Sequence, residues 1–229
     1  MPLNESPAEG VEVLHAAAVA ADLTGRGALA VSGPDAAELL HGLVTNEVKG
    51  LRPGAGRHAA LLTPKGRMRA ELAVLRVSES ELLLDCDAPL AGPLLAILQG
   101  YVPFSRSVLE DRTGETGVVH LEGPAAAELL LAAALPEPGP EEYAHAAGSL
   151  DGVPLRVVRV SRAGEPGFDL RTSRDAVPAL LALLSSRGAA VVSSDVLEAG
   201  RIEAGLPRRG AELTETTLPN EAGLERTAI

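Results

Sequence analysis

The sequence predicts an α+β fold made of two related halves, each an antiparallel sheet with helices. Three observations carry that expectation. The first is an internal repeat: residues 28–40 read ALAVSGPDAAELL, and residues 117–130 read GVVHLEGPAAAELL. In each copy a β-prone run meets Gly-Pro and an Ala/Leu helix follows. Two copies are too few for a solenoid and suggest paired halves, with chance similarity between Ala-rich helices as the alternative. The second is that strand-like and helix-like segments mix without a regular βαβ rhythm. The third is size: 229 residues suit one large domain or two small ones, enough to bury about 70% of the unfolded chain's surface.

Taken in order, Gly33-Pro34 and Gly123-Pro124 each place a proline at the first turn of a helix, where its missing N–H costs nothing. Ala59–Thr63 and Met68–Val77 read as strands joined by a turn at Pro64–Gly66, and Glu81–Asp85 as a third. The apolar run Pro89–Leu98 reads as a helix. Leu135–Gly148, rich in Pro, Gly and Glu, reads as a surface connection. Val153–Val160 and Gly167–Arg171 follow as paired strands, then an amphipathic helix Asp175–Ser186 that Asp175 caps. A last helix, Asp195–Ala204, opens on Asp195 and Glu198 at capping-box spacing and closes at Gly205 and Pro207. It carries Glu198, Arg201 and Glu203, which suit a solvated face or a ligand-facing one.

Composition narrows the function. The net charge is −11 and aromatic residues make up 2% of the chain, with no Trp. Nucleic acid needs a basic footprint and stacking rings, so it is not an expected partner. No apolar run reaches the ~20 residues of a membrane span, and no basic segment precedes an apolar core at the start, so a cytoplasmic protein is expected. Cys86 lies between Asp85 and Asp87 and reads as a small strand residue; neighbouring carboxylates disfavour a reactive thiolate. The five histidines, at 15, 41, 58, 120 and 145, form no ligand spacing, and no metal is expected. Gly54-Ala55-Gly56-Arg57-His58-Ala59 superficially matches a dinucleotide fingerprint, but the flanking segments are not strand before and helix after. What survives is a set of polar residues at element edges: Glu71, Glu165, Asp169 and Arg201. A carboxylate accepts two N–H bonds from an amino-pyrimidinone edge, and an arginine clamps a carboxylate with two.

Four motifs, TNEV (45–48), LLTPKGRMRAEL (61–72), GEPGFDL (164–170) and RIEAGLPRRGAELTETTLPNEAGL (201–224), resemble the aminomethyltransferase-like family in sequence and in order. That family includes the glycine-cleavage T-protein and the YgfZ-type folate-binding proteins. The resemblance runs from about Leu23 to the end. It implies an N-terminal extension over 1–22 and a folate-binding region over 23–229. That region would consist of two intertwined halves, about 23–112 and 113–229, around a central cleft. It implies tetrahydrofolate, or a folate derivative, as the bound molecule.

Residue by residue, the T-protein's catalytic aspartate closes a segment similar to LLTPKGRMRAEL, so Glu71 is its match, one methylene longer. Asp169 falls on the acid that closes the family's Gly-Phe-Glu motif and holds the pterin. Arg201 matches the helix arginine that contacts folate. His58 stands where T-proteins carry a tyrosine, and the usual Tyr-Thr-Gly-Glu becomes Arg162-Ala163-Gly164-Glu165. The folate contacts expected are therefore Asp169, Arg201, Glu165 and His58, with Glu71 as the catalytic acid.

The altered acid and the lost tyrosines point to the YgfZ-type branch, as does the phrase ETTLPNEAGLER. For that branch the resemblance implies folate-dependent support of iron–sulfur cluster enzymes, with iron–sulfur client proteins as partners. The alternatives are an aminomethyltransferase in the strict sense and a non-catalytic interaction domain with a decayed folate site. YgfZ-type proteins continue with Lys-Gly-Cys-Tyr-x-Gly-Gln-Glu and a small β domain. This sequence ends at Ile229, where that motif is expected to begin. The expectation is a shortened or processed sequence, or a member without that half.

Overall fold

Each copy of the strand–Gly-Pro–helix repeat sits in its own compact unit of the computed structural model, which describes residues 6–224, 227 and 228. The last two residues of ETTLPNEAGLER, 225 and 226, and the terminal residue 229 lie outside the described residues, as do 1–5. Along the chain run α1 (Pro7–Ala16), β1 (Val19–Asp22), β2 (Gly27–Ser32), α2 (Ala36–His41), β3 (Gly56–Leu62) and β4 (Met68–Ser78). Then come β5 (Glu81–Cys86), α3 (Ala88–Gln99), β6 (Val108–Asp111), β7 (Thr116–Glu122) and α4 (Ala126–Ala132). The rest are β8 (His145–Leu150), β9 (Val153–Arg159), β10 (Gly167–Ser173), α5 (Val177–Ser186), β11 (Ala190–Val192) and α6 (Ser194–Glu203). Among the described residues no helix is long and apolar enough to cross a membrane.

The first unit takes residues 6–24, 115–141 and 145–206. Its six-stranded sheet has the order β11-β1-β7-β10-β9-β8, antiparallel except for the β1–β11 pair. The segment read from sequence as an extension holds α1 and β1, both part of this unit. Ser6 and Glu9 close a capping box at the start of α1, so its first amides are satisfied. Leu121, Leu130, Phe168, Leu170, Leu180 and Leu184 form the core under the sheet, all of them fully buried.

The second unit takes 25–114, 142–144 and the chain from 207 on. Its five strands run β3-β4-β5-β2-β6, all antiparallel. Leu29, Leu40, Val74, Leu82, Leu84, Leu94 and Leu98 fill its core, and Cys86 is buried beside them at the end of β5. The α+β class with antiparallel sheets is thus the observed one.

Several local expectations are corrected. Pro34 and Pro124 sit in the turn ahead of α2 and α4, not inside the helices, which begin at Ala36 and Ala126. Asp175 caps nothing; it lies in a 3₁₀ turn, Arg174–Ala176, that leads into α5. Asp195 is likewise not a cap, because α6 starts one residue earlier and Ser193 is its extended N-cap residue. Asp195 instead adds negative charge to the first turn, where the helix dipole favours it. The connection read over Leu135–Gly148 ends inside β8. β8 is a mostly exposed edge strand, so it lacks the apolar alternation that marks a strand in sequence.

Glycine, not proline, is what the repeat requires. Gly33 and Gly123 have φ of +121° and +135°. A Cβ on Gly33 would lie 2.2 Å from the Arg106 carbonyl oxygen, and one on Gly123 would lie 2.4 Å from that of Ala17. Backbone atoms cannot give way as side chains can. Gly123→Ala is therefore expected to destabilise the first unit by at least about 2 kcal/mol. Chemical denaturation should read this as a lower midpoint at unchanged slope.

Candidate functional site

A closed cluster of charges lies inside the first unit, built by two neighbouring strands and the loop beside them. On β7, His120 and Glu122 are two residues apart and so point to the same face. Asp169 on β10 stands directly opposite His120 in the antiparallel register. His120 Nδ1 lies 2.8 Å from Asp169 Oδ1, and Nε2 contacts Glu122 Oε2. With a carboxylate against each ring nitrogen, both nitrogens serve as donors, which makes the ring an imidazolium. Opposite Glu122 the chain has Gly167, and a Cβ there would meet the Glu122 side chain at 3.1 Å and the Val160 carbonyl oxygen at 2.7 Å. The glycine makes room for the acid.

Glu122 also organises the loop 161–165. Its carboxylate accepts N–H bonds from Arg162 (2.8 Å), Ala163 (2.8 Å) and Glu165 (2.9 Å), and the Ser161 hydroxyl at 3.1 Å. That loop delivers Arg162 to Asp169: Nε donates to Oδ1 at 2.9 Å, and Nη2 donates to Oδ2. Behind the site, Arg159 stacks over the Phe168 ring, 4.8 Å from its centre. The side chains of His120 and Glu122 are fully buried and Asp169 is 3% exposed, whereas Arg162 is 19% exposed.

The electrostatics follow from this geometry. Burial pulls the His120 pKa down, but hydrogen bonds to Asp169 and Glu122 outweigh it and hold the ring above its ordinary value. Burial works the other way on Glu122, and the His120 hydrogen bond and charge with the loop amides bring it below the usual carboxylate range. Asp169 lies well below that range: burial raises it, and the Arg162 and His120 charges and hydrogen bonds prevail. Two carboxylates, a guanidinium and an imidazolium sum to zero, which is how four charged groups share one dry site.

The other residues singled out from sequence divide between the units. In the first, Glu165 accepts a bond from His15 at 2.9 Å, and that contact, partly offset by burial, raises the His15 pKa. Arg201 is buried in the last turn of α6, donating to Glu198 at 3.0 and 2.7 Å and to the Leu206 carbonyl. Glu198 thus serves Arg201 in place of a capping box. The helix packs on the Arg162 loop, with Gly200 against Ala163 and Gly164 against Ala204.

In the second unit, His58 and Glu71 sit diagonally across β3 and β4, Nε2 to Oε1 at 2.9 Å. His58 Nδ1 lies 3.3 Å from the Thr227 hydroxyl, and its ring stacks on Tyr143 at 5.9 Å. A tyrosine ring thus accompanies His58 from a distant part of the sequence.

His120, Glu122 and Arg162 were not among the expected site residues. The first two had a usable signal: two polar residues at period two in the otherwise apolar GVVHLEG. Arg162 stood out in sequence only as the residue in place of the motif's tyrosine, and the folded loop alone shows that it reaches Asp169.

Comparison with known proteins agrees with these motifs. A profile described as the GCVT N-terminal domain matches residues 3–228. An aminomethyltransferase of Streptomyces coelicolor is 30% identical over 213 residues, covering 90% of this chain and 56% of that protein. An aminomethyltransferase of Thermus thermophilus is 31% identical over 202 residues, covering 86% and 57%. The chain therefore spans a little over half the length of these relatives. The glycine cleavage system aminomethyltransferase T from Bartonella henselae shares the fold, with a TM-score of 0.85 at 24% identity over 96% of this chain and 60% of that one. A chain of the heterotetrameric sarcosine oxidase from Corynebacterium sp. U-96 is a more distant likeness, with a TM-score of 0.53 at 20% identity over 87% and 97%. By the near-complete match to the GCVT N-terminal domain, this chain belongs to the glycine-cleavage T-protein family.

Proposed function

We propose that the chain binds tetrahydrofolate, with the Asp169 carboxylate receiving the pterin ring, as the folate-binding part of an aminomethyltransferase-type protein. The observation that carries this reading is the state of Asp169. It is a dry, ionised carboxylate, held from one side by His120, and its two oxygens already take a planar pair of N–H donors. The 2-amino-4-oxopyrimidine edge of a pterin offers the same pair of donors. Glu165 and Arg201 are the further contacts proposed in this unit. In the other unit Glu71 is the proposed acid, with His58 as the residue that positions it and as a proposed folate contact.

The aminomethyltransferase reading takes precedence over the YgfZ-type one because the curated relatives carry that name. The second reading, folate-dependent support of iron–sulfur proteins, draws on Glu71 in place of the family's aspartate and on ETTLPNEAGLER. An aminomethyl carrier separates the two. Folate-dependent ammonia release, abolished in Glu71→Ala, supports the transferase; folate binding without turnover supports the second reading.

Binding itself is read by calorimetric titration with tetrahydrofolate. Saturable binding is expected, weakened at least about tenfold in Asp169→Asn, as charged hydrogen bonds are worth about 1.5–3 kcal/mol. No binding, or an affinity that Asp169→Asn leaves unchanged, would overturn the folate assignment.

A further inference from the structure

Arg162 makes the contact with Asp169 that the proposed ligand would make. Its Nε and Nη2 donate side by side to the two carboxylate oxygens. A pterin's C2 carries the amino group between two ring nitrogens, which is a cyclic guanidine, and its ring N–H and amino N–H form the same parallel fork. One carboxylate edge accepts one such fork. The two guanidine-type groups therefore exclude each other at Asp169.

Resting on the folate reading above, we propose that Arg162 is a built-in stand-in for the pterin: its guanidinium occupies the acceptor edge of Asp169 and must swing away before folate binds. Three features fit this role rather than that of a permanent structural pair. Arg162 is the one member of the cluster with a side chain that reaches solvent, at 19% exposure against 3% or less for the other three. Its backbone is held independently, since the amides of 162, 163 and 165 all bond to Glu122, so the side chain can leave while the loop stays. Asp169 keeps its His120 bond when the fork is vacated, so the carboxylate remains aimed and charged. Departure of the guanidinium also takes one positive charge from the site, so opening is costly and the occupied state dominates without ligand. Apparent affinity then falls by the fraction of molecules that are open. Arg162 thus sets the apparent affinity of the site.

The test compares tetrahydrofolate titrations of the wild-type chain, Arg162→Ala and Arg162→Lys. Lysine keeps a positive charge near Asp169 without the fork, and guards against a variant that fails to fold. Both variants are expected to bind more tightly than wild type, Arg162→Ala by at least about tenfold, or about 1.4 kcal/mol. Methylguanidinium should compete with the folate in Arg162→Ala and raise its melting temperature, with neither effect once Asp169→Asn is added. Equal or weaker folate binding in both variants, beside a wild type that binds, overturns the stand-in and leaves the folate reading intact. Failure of all three proteins to bind folate, with methylguanidinium still stabilising Arg162→Ala, overturns the folate reading and the proposal with it.

Discussion

Glu122→Ala is expected to cost about 4 kcal/mol of stability, the largest effect of any single substitution in the charged cluster. The carboxylate is fully buried and accepts three amide N–H groups, a hydroxyl and the His120 ring. Alanine takes the acceptor from all five donors at once, and a buried donor left unpaired costs about 1–3 kcal/mol. Water entering the gap recovers part of that sum, which keeps the total near the value for a broken buried ion pair. Amide hydrogen exchange locates the loss: the N–H groups of Arg162, Ala163 and Glu165 should lose protection together. Glu122→Gln keeps one acceptor oxygen and should recover part of the stability. A loss below about 1 kcal/mol in Glu122→Ala would mean that the loop is held by something else.

The second large effect is expected at Asp169 and carries a pH signature. Asp169→Ala should destabilise by about 3 kcal/mol, less than Glu122→Ala because Arg162 already reaches solvent at 19% exposure and His120 keeps Glu122. Asp169 and Glu122 are held below their ordinary values of 3.8 and 4.5. Their stabilisation is complete above those values and is lost as pH falls through the lowered folded-state values. His120 is held above its ordinary 6.5. Its stabilisation is complete below 6.5 and is lost as pH rises through the raised folded-state value. The cluster therefore contributes most between about pH 4.5 and 6.5. Urea unfolding across pH should show a decline on the alkaline side that is much reduced in His120→Gln. A wild-type profile that keeps rising through neutral pH would refute the imidazolium assignment.

Much of the fold was legible because the strongest signals are local. Met68–Val77 and Gly167–Arg171 announce themselves by apolar, β-prone runs, and the strands observed there extend them by one and two residues. β8 and β6 were not legible, since one is an exposed edge and the other, Val108–Asp111, carries two acids in four residues. The helix starts at Asp175 and Asp195 were misread for a different reason. Each acid sits near a helix end, yet the backbone entering the helix places another residue at the cap. Cap identity depends on that entry angle, which residue type alone does not supply.

At the candidate site the sequence by itself determined the residue types and their order: an acid closing Gly-Phe-Asp, an arginine within the last long helix, an arginine before Ala-Gly-Glu. It also determined the glycines that two strand-to-helix turns require, because φ near +120° is closed to other residues whatever surrounds them. Only the tertiary structure decided the partners. The β7–β10 register set His120 against Asp169, and the loop held by Glu122 turned Arg162 onto the same carboxylate, whereas Arg201 found Glu198 on its own helix. The physical reason is reach. A turn's conformation is set within a few bonds along the chain, but a buried charge takes whichever opposite charge the packing brings within 3 Å. Here His120 meets Asp169 from 49 positions away, and the Glu122 carboxylate takes the Arg162 amide from 40 positions away.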